Sequence, residues 1–257
     1  TAYDAPTARL ADAAEIDTVL VGDSVANVVL GYKDTLPVTM EQMLHHTAAV
    51  RRGLERAMLI ADLPFLSYQA NRAEAIRNAG RFLKEAGAEA VKLEGGGPMV
   101  GTVRALTEAG IPVVGHLGLT PQSATMLGGY RVQGTTAESA GRILEDALAL
   151  QEAGAFLLVL ECVPARLGRL ISEKLTIPVI GIGAGPHTDG QVLVFHDLVG
   201  IDAGFKPKFV KRFAEAGKVM RQALEKYAEE VRARAFPGPE HQFSMSDEEY
   251  EKLLGKL

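Results

Sequence analysis

Short runs of apolar residues alternate with amphipathic segments along most of the chain. The clearest run is Phe156–Leu160, which is followed at once by the carboxylate of Glu161. A short apolar run of this kind is typical of a strand that is buried on both faces, as in parallel sheets. Because a buried, unpaired charge is costly, we place Glu161 at the carboxyl end of the strand, where a functional site can hold it.

A second segment repeats this arrangement. The tetrapeptide Glu85-Ala-Gly-Ala88 precedes Glu94 at the same spacing at which Glu152-Ala-Gly-Ala155 precedes Glu161. The repeat therefore predicts two equivalent strands, each of which ends in a carboxylate.

The alternating pattern predicts eight strand-and-helix units between Thr1 and Ala235. The strands are predicted at the start of the chain up to Asp4 and at residues 18–21, 57–61, 89–93, 112–115, 155–160, 177–182 and 198–201. Alternating strands and helices indicate parallel pairing through right-handed crossovers. Eight units favour an α/β (β/α)8 TIM barrel, and an open doubly wound sheet is the alternative. We expect one barrel domain over residues 1–243 and a charged C-terminal helical extension over residues 244–257.

Polar residues at helix-cap spacing predict where several helices begin. Pairs three residues apart, in which the second side chain can return a hydrogen bond, are typical of capping boxes. The predicted pairs are Thr39 with Gln42, Asn71 with Glu74, Thr135 with Glu138, and Ser246 with Glu249. Between two of these helices, the irregular stretch 117–134 is long for a connecting loop, and such loops are usually functional.

The predicted strand ends carry most of the chain's candidate functional residues. In a barrel the carboxyl ends of all strands face one mouth, so we expect these side chains to converge. They are Tyr3, Asp4, Asp23, Ser24, Asp62, Lys92, Glu94, His116 and Glu161.

Three of these residues predict a metal site. Asp23, Asp62 and Glu94 are hard oxygen donors, and the sequence has no Cys and His cluster at zinc spacing. Carboxylates that act together with water or substrate oxygens suit Mg2+. Any one of the three could instead cap a helix just after its strand. Three like charges at one mouth, however, need a cation.

The other polar residues divide into a cationic and an anionic part. Lys92 lies two residues before Glu94 within one strand, so both side chains point to the same side. Lys92 needs an anion, which is a neighbouring carboxylate, the carboxylate of a substrate, or both. His116 is either a hydrogen-bond donor to a substrate or a structural residue of the rim. Glu161 has no evident partner and is interpreted as an isolated carboxylate.

Together these parts predict a site for a 2-oxo acid. A divalent metal that chelates the carboxylate and keto oxygens of the acid would stabilise an enolate. Glu161, on the other side, would then remove the proton beside the carbonyl group, and general base catalysis of this kind contributes about 10²–10⁴-fold.

Composition narrows the class of protein. The net charge of −5, from 27 basic and 32 acidic residues, argues against a nucleic-acid partner. No apolar run is long enough for a membrane-spanning helix. The single cysteine, Cys162, excludes an internal disulfide and indicates a reducing, cytoplasmic location. The sequence starts at Thr1 rather than Met, so we expect the first strand to be incomplete.

Eight ordered blocks of the sequence resemble the ketopantoate (3-methyl-2-oxobutanoate) hydroxymethyltransferase family. They are Val21-Gly-Asp-Ser24, Thr35-Leu-Pro-Val-Thr39, His46-Thr-Ala-Ala-Val-Arg-Arg-Gly53, Ala61-Asp-Leu-Pro-Phe65, Val91-Lys-Leu-Glu-Gly95, Gly115-His-Leu-Gly-Leu-Thr-Pro-Gln122, Leu160-Glu-Cys-Val-Pro164 and Ile177-Pro-Val-Ile-Gly-Ile-Gly-Ala-Gly185. The resemblance extends from Thr1 to about Phe243.

The resemblance implies a fold, a reaction and an assembly. The fold is a (β/α)8 barrel related to the phosphoenolpyruvate mutase and isocitrate lyase group. The reaction is transfer of a hydroxymethyl group from 5,10-methylenetetrahydrofolate to 3-methyl-2-oxobutanoate, giving 2-dehydropantoate for pantothenate and coenzyme A synthesis. Family members are commonly homodecamers. The alternatives are a C–C lyase or phosphonomutase-like relative that acts on another 2-oxo acid, and an inactive barrel that serves as a scaffold.

The resemblance also implies roles for individual residues. Asp23 and Asp62 match Mg2+ ligands, and Glu94 matches a metal-side carboxylate that binds directly or through water. Glu161 matches the catalytic base. The positions that match contacts to the oxo acid are Asp23, Ser24, Asp62, Lys92 and His116.

Overall fold

The structure is a computed structural model, and it describes residues 1–201 and 207–256. These residues form two compact units. The larger unit contains residues 1–198 and 207–211, and the smaller unit contains residues 199–201 and 212–256.

A single parallel sheet of seven strands forms the centre of the larger unit. The strands are β1 (Thr18–Val21), β2 (Met58–Asp62), β3 (Ala90–Glu94), β4 (Val113–Gly118), β5 (Leu157–Glu161), β6 (Val179–Ile182) and β7 (Gly190–Gln191). They lie in the sheet in the same order as in the chain. This order is the one that successive crossovers of the same hand produce, as the alternating pattern predicts.

Helices connect the strands. They are α1 (Ala5–Ala13), α2 (Val25–Val28), α3 (Met40–Arg51), α4 (Arg72–Ala86), α5 (Gly97–Glu108), α6 (Ala137–Glu152) and α7 (Ala165–Lys174), and α8 (Phe195–Val199) follows the last strand. A short 3-10 helix, Pro121–Ser123, lies within the long irregular stretch after β4.

The predicted caps of these helices are confirmed with one shift. Thr39 caps α3 in a reciprocal capping box, and Asn71 caps α4. The prediction at Thr135 was wrong by one residue, because α6 begins after Thr136, whose side chain accepts a hydrogen bond from the backbone N–H of Ser139. Serine can return the second bond of the box as glutamate does, so the spacing alone did not decide between the two positions.

Replacing Thr39 by alanine is expected to lower the free energy of unfolding by about 1 kcal/mol. The backbone N–H of Gln42 would lose its acceptor, the Thr39 hydroxyl at 3.2 Å. Urea unfolding followed by circular dichroism measures the change. Thr39→Ser keeps the hydroxyl and should stay within a few tenths of the wild type; an equal loss in both variants would contradict the cap.

The sheet is curled, and the N-terminal residues lie between its two edges. The backbone N–H of Ala2 donates to Leu20 O on β1 at 3.2 Å. The Thr1 ammonium group donates to Leu193 O, just after β7, at 3.2 Å, and the Thr1 hydroxyl accepts from the N–H of Phe195 at 2.8 Å. Residues of β1 through β6 accordingly line one common cavity of about 20 Å³.

Two of the eight predicted strands are not strands in the structure. The predicted eighth strand at residues 198–201 is wrong, because its first two residues complete α8 and Gly200 follows with a φ of 67°. Residues 1–4, the predicted end of the first strand, have no strand geometry. Instead, Gly190–Gln191 form the two-residue strand β7, where no strand is predicted from the sequence. The described residues thus form a curled seven-stranded parallel sheet with helices, and a complete eight-stranded barrel stays a prediction.

The two faces of the sheet bury different apolar clusters, as the alternation of side chains along a strand requires. Leu59, Leu93 and Leu158 belong to the larger cluster, which the helices cover. The alternate residues belong to a smaller cluster on the concave face, which is built from Ile60, Ala90, Val114, Leu157, Val159 and Ile182. On β2 to β5, the next residue of the concave face toward the carboxyl end is polar or charged. The sheet therefore presents its candidate site at the end of its inner apolar core.

Among its described residues, the smaller unit contains two α-helices, α9 (Ala216–Arg232) and α10 (Asp247–Leu254). The predicted cap of α10 is confirmed, since the Ser246 side chain accepts from the N–H of Glu249. Within residues 1–201 and 207–256, no helix has both the length and the apolar character that crossing a membrane requires.

Candidate active site

Strand register brings two polar pairs together at the carboxyl end of the sheet. Asp62 of β2 is in register with Lys92 of β3, and Glu94 of β3 is in register with His116 of β4. The Lys92 ammonium group lies 2.8 Å from Asp62 Oδ1, and His116 Nδ1 lies 3.3 Å from Glu94 Oε1. All four side chains are buried. Parallel pairing therefore places these four side chains, which come from the ends of three strands, in two adjacent ion pairs.

His116 connects these pairs to Glu161. Its Nδ1 atom lies 3.1 Å from Lys92 Nζ, and its Nε2 atom lies 3.3 Å from Glu161 Oε2. The expectation that Glu161 is isolated is therefore wrong. On β5, Val159 is the residue in register with His116, and Glu161 follows on the same face, so the imidazole ring reaches it. The Glu161 side chain is 16% exposed, which leaves it accessible to a substrate.

The turn after β1 supplies Asp23 and Ser24. The backbone N–H of Asp23 donates to Asp62 Oδ2 at 2.9 Å, and the Ser24 hydroxyl lies 2.7 Å from the Tyr3 hydroxyl. A Cβ atom on Gly22 would come within 2.8 Å of Ser24 Oγ and 3.5 Å of Asp62 Oδ2. A glycine is therefore needed where this turn approaches the second strand.

Asp4 does not join the other residues. It is exposed and caps α1, accepting a hydrogen bond from the N–H of Thr7 at 2.8 Å. The expectation that Asp4 joins the other strand-end residues is therefore wrong, because its side chain caps a helix.

Burial and mutual repulsion dominate the carboxylates of β1 and β2. Burial, followed by the negative charges of Glu94 and Asp62, raises the pKa of Asp23 to about 8. Burial also raises the pKa of Asp62, although the ammonium group of Lys92 opposes this change. An added positive charge near Asp23 and Asp62 would therefore stabilise the ionised forms of both carboxyl groups.

The pKa values of the two basic side chains, Lys92 and His116, are raised by their negatively charged neighbours. Burial alone would lower the pKa of Lys92, but the attraction of Asp62, Glu94 and Asp23 outweighs it and raises the pKa. Burial and the charge of Lys92 would lower the pKa of His116, yet its bonds to Glu161 and Glu94 outweigh them and raise it to about 9. The direction of this shift favours the protonated imidazole ring.

Gln122 is a central residue of the site that the sequence patterns did not reveal. Its side-chain Nε2 donates to Asp23 Oδ2 at 3.0 Å, and its backbone N–H donates to Glu94 Oε2 at 2.9 Å. Two sequence signals include this residue, the length of the stretch 117–134 and the block Gly115–Gln122, but neither assigned it a role.

The donor chemistry of the cluster fits a divalent cation. Asp23, Asp62, Glu94 and Glu161 face two cations, Lys92 and His116, so full ionisation leaves an excess charge of about two negative units. Asp62 Oδ1 and Glu94 Oε1 are buried and, among the described residues, receive no well-aligned hydrogen bond. Within the same residues, no three His, Cys, Asp or Glu side chains are arranged as a ready metal site. The fit therefore rests on charge and on unsatisfied oxygens.

A sequence model of ketopantoate hydroxymethyltransferase matches residues 1–239. The chain belongs to the ketopantoate hydroxymethyltransferase family. A 3-methyl-2-oxobutanoate hydroxymethyltransferase from Thermus thermophilus is 60% identical, over 95% of this chain and 93% of its own. The protein of the same name from Syntrophobacter fumaroxidans is 56% identical, over 99% of this chain and 90% of its own.

Solved structures show the same fold at low sequence identity. Phosphonopyruvate hydrolase matches 99% of this chain and 88% of its own, with a TM-score of 0.60 and 15% identity. The 2,3-dimethylmalate lyase, a member of the PEP mutase/isocitrate lyase superfamily, matches 99% and 87%, with a TM-score of 0.55 and 18% identity. The ketopantoate hydroxymethyltransferase family therefore shares its fold with lyases and hydrolases, while sequence identity favours a hydroxymethyltransferase for this chain.

Proposed function

We propose that the protein transfers a hydroxymethyl group from 5,10-methylenetetrahydrofolate to 3-methyl-2-oxobutanoate and so makes 2-dehydropantoate for pantothenate and coenzyme A synthesis. The overall activity is supported by the family and by relatives of that name. The observation that carries the proposed mechanism is the unbroken line of contacts from Asp62 through Lys92 and His116 to Glu161.

Glu161 is the proposed base. Its carboxylate takes the proton from C3 of the oxo acid, and the electron pair of the C–H bond moves toward the carbonyl oxygen. The resulting carbon nucleophile forms a bond to the methylene carbon of the folate donor, and both C–N bonds of that carbon break. Water supplies the hydroxyl group, and tetrahydrofolate leaves with a proton on each freed nitrogen, one from Glu161 and one from the water. His116 Nε2 lies 3.3 Å from Glu161 Oε2 and so orients the carboxylate that accepts the proton.

The other side chains bind and orient the oxo acid. Lys92 offers its ammonium group to the substrate carboxylate, while Ser24, held by the Tyr3 hydroxyl, offers a further hydrogen bond. Asp23, Asp62 and Glu94 would hold Mg2+, with Glu94 acting directly or through water. When bound, Mg2+ draws charge from the carbonyl oxygen and makes the C3 proton more acidic.

A product assay tests the proposed reaction. Incubation with Mg2+, 3-methyl-2-oxobutanoate and 5,10-methylenetetrahydrofolate should yield 2-dehydropantoate, detected by mass spectrometry. Without the folate donor, the C3 proton of the oxo acid should still exchange in D2O. Cleavage of a 2-oxo acid or rearrangement of a phosphonate, with no 2-dehydropantoate, would instead support the lyase or phosphonomutase alternative.

Ligand binding separates an enzyme from an inactive scaffold. Mg2+ together with 3-methyl-2-oxobutanoate is expected to raise the melting temperature, because a ligand that binds only the folded state stabilises it. At 100 times the dissociation constant the gain is about 2.7 kcal/mol. Differential scanning fluorimetry measures the shift, with Na+ and 3-methylbutanoate, which lacks the keto group, as controls. An unchanged melting temperature with Mg2+ and 3-methyl-2-oxobutanoate would support the scaffold alternative.

The proposed assembly follows the family resemblance. We propose that residues 1–243 complete an eight-stranded barrel, that residues 244–257 form a helical extension, and that the protein is a cytoplasmic homodecamer. Light scattering coupled to size-exclusion chromatography tests the assembly, and a mass near that of one chain, 27.4 kDa, would contradict it.

A further inference from the structure

Gln122 has an unusual position among the carboxylates of the proposed site. It is only 6% exposed, although it lies in the irregular stretch that follows β4. Its side-chain Nε2 donates to Asp23 Oδ2 and to Leu63 O, both at 3.0 Å, while its backbone N–H donates to Glu94 Oε2 at 2.9 Å. One residue thus binds two of the three proposed metal carboxylates, which lie on different elements.

The orientation of the Gln122 amide is determined by its neighbours. Its Oε1 atom accepts from the Tyr68 hydroxyl at 2.8 Å and from Gln69 Nε2 at 3.2 Å. A reversed amide would direct its NH₂ group at these donors and its oxygen at the Asp23 carboxylate and the Leu63 carbonyl. The Tyr68 hydroxyl is itself held, because it accepts from the backbone N–H of Glu94 at 3.1 Å.

In each of the three carboxylates, one oxygen accepts a hydrogen bond from a side-chain amide or a backbone N–H group. Asp23 Oδ2 and Glu94 Oε2 accept from Gln122, and Asp62 Oδ2 accepts from the backbone N–H of Asp23. Glu94 Oε1 and Asp62 Oδ1 receive no such bond from a main chain or an amide in the described residues and contact only His116 and Lys92. The amide and main-chain donors therefore hold one oxygen of each carboxylate, while the other oxygens of Asp62 and Glu94 face the cationic side chains of Lys92 and His116.

We infer that Gln122 is a positioning residue, whose amide and backbone N–H groups orient the carboxylates of Asp23 and Glu94 for a divalent cation. The inference rests on the proposed function, because it takes the cation from there. It also gives the stretch 117–134 a definite role, since the stretch delivers Gln122 between the turn after β1 and the end of β3. Hydrogen-bond partners of metal ligands typically change metal affinity about 10- to 100-fold when they are removed.

Gln122→Met tests this role with Mn2+ as the probe. The substitution keeps the length of the side chain and removes the hydrogen bonds that the side-chain amide makes. The bond from the backbone N–H to Glu94 remains. Mn2+ titration followed by electron paramagnetic resonance is expected to show a dissociation constant raised about 10- to 100-fold. The matched control is Gln133→Met in the same stretch, whose side chain is partly exposed, lies outside the cluster of carboxylates, and donates to Arg131 O at 3.0 Å. Its Mn2+ affinity should equal that of the wild type.

Kinetics provide a second measurement that a purely structural role would not change in the same way. In Gln122→Met the KM for 3-methyl-2-oxobutanoate and the kcat should approach wild-type values as Mn2+ is raised to saturation. Unchanged Mn2+ affinity in a folded Gln122→Met protein would overturn the inference, as would an equal loss of affinity in Gln133→Met. A reduced kcat that saturating Mn2+ does not restore would also overturn it.

Tyr68→Phe extends the test if Gln122→Met does not fold. This variant keeps Gln122 and removes the hydroxyl group that fixes its amide, so Mn2+ affinity should fall about tenfold; no change would again overturn the inference. A wild-type protein that binds no Mn2+ would refute both the cation and this role. A wild-type protein that binds Mn2+ but forms no 2-dehydropantoate would refute the proposed reaction alone.

Discussion

The Glu161→Gln protein is expected to exchange the C3 proton of 3-methyl-2-oxobutanoate about 10²–10⁴-fold more slowly than the wild type in D2O. The amide keeps the shape of the side chain and its approach to His116, but it has no basic oxygen that can accept a proton at neutral pH. Proton NMR of the oxo acid, recorded with Mg2+ and without the folate donor, measures this step separately from carbon–carbon bond formation.

Two controls test whether the slower exchange is caused by the loss of proton removal alone. Glu173→Gln makes the same substitution at an exposed residue of α7 and should exchange at the wild-type rate. Binding of the oxo acid to Glu161→Gln, measured by its effect on the melting temperature, should persist, because Lys92 and the metal-side carboxylates are intact. Unchanged exchange in Glu161→Gln would remove Glu161 from the role of base.

The Lys92→Met protein is expected to lose about 3–5 kcal/mol of unfolding free energy, since one partner of a buried ion pair is removed. Lys92 is 4% exposed, and Asp62 Oδ1 lies 2.8 Å from its ammonium group. Methionine fills a similar volume but leaves the carboxylate of Asp62 without its cation. Urea unfolding in a metal-free buffer measures the loss.

The pH dependence identifies the cause of this loss. Burial already raises the pKa of Asp62, and removal of Lys92 raises it further above the value in the unfolded chain. A group with a raised pKa in the folded state favours folding below its unfolded pKa and loses that contribution as the pH rises. The deficit of Lys92→Met should therefore shrink as the pH falls. A deficit that is independent of pH would indicate lost packing rather than an uncompensated charge.

A double variant completes the comparison. Lys92→Met combined with Asp62→Asn removes both charges, so it should recover part of the stability that Lys92→Met loses. A loss in the double variant equal to the sum of the two single losses would show that the ion pair contributes no coupling energy.

The sequence predicted strands where an apolar run is long enough to be distinctive. Residues 18–21 are predicted and observed as β1, and the apolar run before Glu161 contains β5. In contrast, β7 has two residues, Gly190 and Gln191, neither of which is apolar enough to mark a strand. Residues 198–201 form a short, mostly apolar run, but the first two of them complete helix α8, and such a run does not distinguish a strand from a helix.

The sequence predicted most residues of the candidate site, but it did not predict which of them contact each other. A polar residue that ends an apolar strand is visible in one sequence, and this signal identified Asp62, Glu94 and Glu161. The contact of His116 with Glu161 depends on register between β4 and β5, which the sequence does not state. Gln122 is held by partners that lie 99 and 28 residues away in the chain, so no local pattern marks it.

The two-sided contact of His116 has a spectroscopic consequence. One ring nitrogen faces Glu94 and Lys92, on the side of the proposed metal ligands, and the other faces Glu161, the proposed base. In protein labelled with ¹⁵N-histidine, the two nitrogens of this single ring are separate observers of the two halves of the reaction centre. Titration with Mg2+ should shift the Nδ1 resonance first, and Glu161→Gln should shift the Nε2 resonance. The imidazole ring thus reports, from inside the intact protein, which half of the centre a ligand has reached.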